Sequence, residues 1–108
     1  MQSLSTYVAA IRRKASQPAI SHSSTEKSSW DDQGFVVSKE VTNYHFANGV
    51  VIRHSVEQDN FPSEVVCAEC WITYEVISKG LASADITPAR KVFENSCRES
   101  FWLAYHTA

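Results

Sequence analysis

The stretch FVVSKEVTNYHFANGVVIRHSVEQDN, Phe35 to Asn60, decides the fold, because it holds two β-favouring runs on either side of Asn48-Gly49. Asn-Gly readily takes the positive φ values that a two-residue type I′ hairpin turn needs. Read with such a turn, Ala47 faces Val50, Phe46 faces Val51, His45 faces Ile52, Tyr44 faces Arg53 and Val41 faces Val56. Strand side chains alternate, so this register sorts them onto two faces. One carries Val41, Asn43, His45, Ala47, Val50, Ile52, His54 and Val56; the other carries Thr42, Tyr44, Phe46, Val51, Arg53 and Ser55. Neither is simply polar.

Downstream, VVCAECWITYEVIS (Val65 to Ser78) alternates as a third strand. Val66, Ala68, Cys70, Ile72, Tyr74 and Val76 point one way; Glu69, Trp71, Thr73 and Glu75 point the other. Pro62 and Gly80 could also frame a helix over 63–79, but a helix would scatter the polar groups around its circumference. Asp85 or Thr87 before Pro88 reads as a helix start, and the helix is expected to run to about Tyr105. Its expected buried stripe is Ala89, Val92, Phe93, Ser96, Cys97, Ser100, Phe101 and Ala104. Near the N-terminus, Leu4, Tyr7, Val8 and Ile11 recur at helical spacing, with Ser3 or Ser5 to cap and Arg12, Arg13 and Lys14 closing the last turn. Ser16 to Ser29 holds six serines and one proline and reads as a mobile connection. The expectation is an α+β fold of order α-β-β-β-α: a small antiparallel sheet of three or four strands, a long C-terminal helix packed on one face, and a short N-terminal helix. Residues 1–29 form the N-terminal helix and mobile segment, and 30–108 a single domain.

With 108 residues, 44% apolar and 20% charged, the chain has the composition of one globular domain. A net charge of −2 gives no global field for nucleic acid, which argues against nucleic-acid binding. The apolar run YVAAI is far too short to cross a membrane. An odd cysteine count, three, fits a reducing, cytoplasmic setting better than a disulfide framework. The acid-free stretch before Glu26 resembles a transit peptide only weakly.

Three residues apart on a strand, Cys67 and Cys70 point to opposite faces, so their C-x-x-C spacing is expected to form neither a redox nor a zinc site. His45 and His54 share a hairpin face in the proposed register, and Cys70 could join them. Two imidazoles more often hydrogen-bond than ligate, so no metal and no cofactor are expected. There is no G-x-S-x-G elbow and no phosphate-cradling loop, and Asp31-Asp32 lies in a turn. No catalytic residue is assigned, and the chain is read as not an enzyme.

The aromatic residues point to a surface. Trp71 lies opposite the apolar strand face, Trp102 lies across its helix from Phe93, and Trp30 precedes the sheet. Tryptophans off the core faces resemble the anchors that dominate interfaces. The sequence thus suggests a small regulatory protein that binds another protein, such as a transcription regulator, and inhibits or sequesters it. The expected contact residues are Trp71, Trp102, Tyr44, Phe46, Arg53 and Arg98. Two partly apolar sheet faces would also favour a homodimer. The alternatives are a small-molecule or catalytic pocket near His45 and His54, and a nucleic-acid module using Arg12, Arg13, Lys14 and Arg53.

Overall fold

A computed structural model describes residues 2–59, 70–80 and 85–107. In chain order the elements are β1 (Gln2–Ser3), α1 (Leu4–Ile11), β2 (Ile20–Asp32), β3 (Phe35–Phe46), β4 (Val51–Asp59), β5 (Trp71–Ser78), β6 (Ile86–Thr87), β7 (Arg90–Phe93) and α2 (Ser96–Thr107). The fold is α+β. Five strands form an antiparallel sheet of order β2-β3-β4-β5-β7, and β1 and β6 form a separate parallel pair.

The Asn48-Gly49 turn closes the hairpin, but with a longer loop than expected. The Phe46 N–H donates to the Val50 carbonyl at 2.9 Å and the Gly49 N–H to the Phe46 carbonyl at 2.9 Å, leaving Ala47, Asn48 and Gly49 as the loop. Gly49 takes φ 89°, the left-handed residue that follows a type I turn in a bulged three-residue hairpin loop. The Asn48 side chain secures it, accepting from the Val50 N–H at 3.1 Å and donating to the Tyr7 hydroxyl at 3.0 Å. The extra loop residue moves the register by one: His45 faces Val51, Tyr44 faces Ile52, Asn43 faces Arg53 and Thr42 faces His54. Every side chain of β3 therefore changes sides relative to β4, correcting the face assignment read from the sequence.

The shift builds the core. Phe46 joins Val50, Ile52, Ile72, Tyr74 and Phe93 on one sheet face, where Leu4, Tyr7 and Val8 of α1 and Leu103 of α2 cover them. Tyr7 meets the Phe46 ring edge-on at 4.9 Å. Each such buried side chain contributes about 1.5–3 kcal/mol. Helix α1 ends where Arg13 turns left-handed at φ 60°. There the Lys14 N–H reaches the Ala9 carbonyl and the Arg13 N–H the Ala10 carbonyl, the paired bonds of a Schellman motif.

Helix α2 begins at Ser96 and spans 12 residues, shorter than the helix expected to start at Asp85 or Thr87 and run to about Tyr105. Asn95 caps it, its Oδ1 accepting the Arg98 N–H at 2.8 Å. The residues before the cap pair instead as strands: Phe93 opposite Ile72 on β5, and Ile86 opposite Gln2. Ser16 to Ser29, expected as a mobile connection, supplies most of β2, which pairs with β3 as far as Asp32 opposite Phe35. It forms a sheet edge on which every residue from Ile20 to Asp31 is exposed. The first part of the expected third strand, with Cys67, lies outside the described residues.

Candidate functional site

Both helices pack on the same side of the sheet, and among the described residues no helix or strand packs on the opposite, open face. Its side chains form rows across the strands: Asn43, Arg53, Glu75 and Arg90; then Glu26, Val41, Ser55, Thr73 and Val92; then Ser28, Lys39, Glu57 and Trp71. All of them except Ser28 line a groove of about 680 Å³ that crosses all five strands. Its lining balances three cations (Lys39, Arg53, Arg90) against three anions (Glu26, Glu57, Glu75). Arg53 donates to Asn43 Oδ1 at 3.3 Å and lies 3.9 Å from Glu75. Such half-exposed pairs contribute little stability, so they can exchange partners. Trp71 stands in this charged field with 45% of its surface exposed.

Of the six contact residues expected from sequence, only Trp71 and Arg53 meet here. Phe46 is 3% exposed within the core, and Tyr44 is half-buried on the helix-covered face beside His54. Trp102 and Arg98 line a separate groove of about 420 Å³ between β7 and α2. Helix α2 also presents a different side from the one expected. Glu99 and Leu103 are its buried residues, Trp102 leans on Phe93 with ring centres 5.3 Å apart, and Phe101 and Tyr105 are 75% and 74% exposed. Phe101, expected in the buried stripe, instead stands in solvent one turn from Tyr105.

What turns α2 is a buried ionic cluster. Glu99 Oε2 accepts from the Tyr74 hydroxyl at 3.1 Å and Oε1 lies 3.0 Å from Arg12 Nε. His54 stacks on Tyr74 at 4.6 Å, and its buried Nε2 has no partner. Burial and the Arg12 charge lower the His54 pKa to about 4, against a smaller opposing pull from Glu40. Burial and the neighbouring Glu99 carboxylate push the Tyr74 phenol far up, and the same two causes raise the Cys70 thiol. At neutral pH the cluster therefore holds a neutral imidazole and an intact phenol around one carboxylate, which suits a structural tie. His45 lies on the open face and His54 on the covered one, so the pocket expected between them has no geometry.

Cys70 is free, whereas Cys97 is disulfide-bonded. The cysteine argument for a reducing compartment thereby loses its support. Among the described residues no group of three or more His, Cys, Asp or Glu side chains could hold a metal ion, and no helix is long and apolar enough to cross a membrane. Comparison with protein-family models, with curated proteins and with solved structures finds no match.

Proposed function

We propose that this chain is a non-enzymatic regulatory protein that binds another protein through the open face of its sheet and so inhibits or sequesters it, a transcription regulator being one suitable partner. The observation that carries the reading is the groove across five strands with Trp71 exposed among mixed charges. Small-molecule sites are mostly apolar and enclosing, while this surface is broad and charged. Nucleic acid would call for a cationic excess, and the three cations here meet three anions. The sequence argument for a homodimer weakens, since Tyr44 and Phe46 lie on the helix-covered face.

The test is affinity capture from the native cell with the wild-type chain, Trp71→Ala and Arg53→Glu, each checked for its melting temperature. Loss of an interface anchor should weaken capture of a stoichiometric partner roughly tenfold or more at unchanged melting. Equal capture by all three would remove the open face as the binding surface.

A further inference from the structure

We propose that His22 and His45 form a two-imidazole site for a divalent transition-metal ion of the zinc, nickel or copper class. The two residues are register partners on β2 and β3. Their rings lie parallel, 12° apart in plane and 4.1 Å apart at their centres. Metal–nitrogen bonds of about 2.0–2.1 Å set two ligating nitrogens roughly 3.3 Å apart. A nitrogen lone pair lies in the plane of its ring, so the two rings must turn out of this stack about their side-chain torsions to aim one nitrogen each at a shared ion, and their cross-strand pairing holds them close enough to do so. Both side chains are open to solvent, His22 exposed and His45 partly so.

The second observation is the tautomer. The Ser21 hydroxyl donates its single hydrogen to the His45 carbonyl at 2.9 Å, so at 3.2 Å from His22 Nδ1 its oxygen can only accept. His22 therefore carries its proton on Nδ1 and leaves Nε2 bare, the form that ligates metal. A local irregularity of the β2 ladder between Ile20 and His22 lets Ser21 and His22 act on the same neighbour. Ser21 is thus a positioning residue for the ligand, as hydrogen-bond partners commonly are behind metal-bound histidines. Across from His45 on β4 stands Val51, and the charged side chain one row along, Arg53, is engaged by Asn43 and Glu75. Two protein ligands leave further coordination positions for water, making this an exchangeable surface site rather than a closed structural one.

The experiment titrates the tag-free chain with Zn²⁺ and with Ni²⁺ by calorimetry and thermal melting at neutral pH. One ion per chain should bind and raise the melting temperature, because the ion favours the folded state. His22→Asn and His45→Asn should each lose at least tenfold in affinity, Ser21→Ala about 10–100-fold, and His106→Asn nothing. A nitrogen-detected NMR spectrum of the wild-type imidazoles should place the His22 proton on Nδ1, whatever the variants do. The proposal is overturned if neither ion binds, if His22→Asn binds as the wild type does, if Ser21→Ala keeps full affinity, or if His22 carries its proton on Nε2.

Discussion

Tyr74 on β5 and Glu99 on α2 share a hydrogen bond of 3.1 Å, with Glu99 1% exposed and Tyr74 fully buried. The only cation near enough to neutralise the carboxylate among the described ion pairs is Arg12, just past the end of α1. A single acidic side chain thus ties both helices to the sheet. Arg12→Ala should strand that charge and cost about 3 kcal/mol in urea unfolding. Glu99→Gln, which keeps the shape, should cost about 1–2 kcal/mol. The double variant should be less destabilised than the two losses added, because the stranded charge is gone; simple additivity would show that the pair is uncoupled.

His54 sets an acid limit. Its folded pKa of about 4 lies below the ordinary imidazole value, so the unfolded chain takes up the proton more readily. The stability from its burial is complete above about pH 6.5, falls as pH drops toward 4 and then levels, a loss of up to about 3 kcal/mol. Urea midpoints between pH 7 and 4 should show the slope, and His54→Phe should flatten it.

At the end of α1, Arg13 holds φ 60°, a conformation that costs a side-chain-bearing residue energy but suits glycine. Arg13→Gly should stabilise the fold by about 0.5–1 kcal/mol. A loss of stability would mean that the Arg13 side chain makes a contact worth more than the strain.

The two tryptophans should separate. Trp102 packs on Phe93 and His106, so Trp102→Ala should cost about 2–3 kcal/mol and lower the melting temperature. Trp71, 45% exposed on the open face, should cost under about 1 kcal/mol when replaced by alanine. Equal losses would show that Trp71 is packed after all.

Strand β5 and helix α1 were legible because their apolar residues recur at clean periods of two and of three and four, and β3 and β4 because two β-favouring runs flank Asn48-Gly49. The register was not, since Asn-Gly serves a two-residue turn and a bulged three-residue loop equally well. That single residue decided whether Tyr44 and Phe46 met a partner or the core. Trp71 and Arg53 share the open face because β4 pairs with β5 through Arg53 opposite Glu75 and Glu57 opposite Trp71; the register step removed only Tyr44 and Phe46 from their company. Strand β2 left no trace: both its faces are solvated, so no alternation marks it, and its pairing with β3 decides its conformation. His22 could not be matched with His45 without that strand. The late start of α2 escaped because Pro88 imitates a helix start, whereas Asn95 holds the cap.

Among the described residues β2 is an edge strand of 13 residues, a template on which another chain's strand could grow. Runaway stacking of sheets also needs interlocking apolar side chains, and β2 presents serines, Thr25, Glu26 and Lys27 along most of that length. Its serines act as gatekeepers: a strand that adds almost nothing to the core is a poor surface to copy.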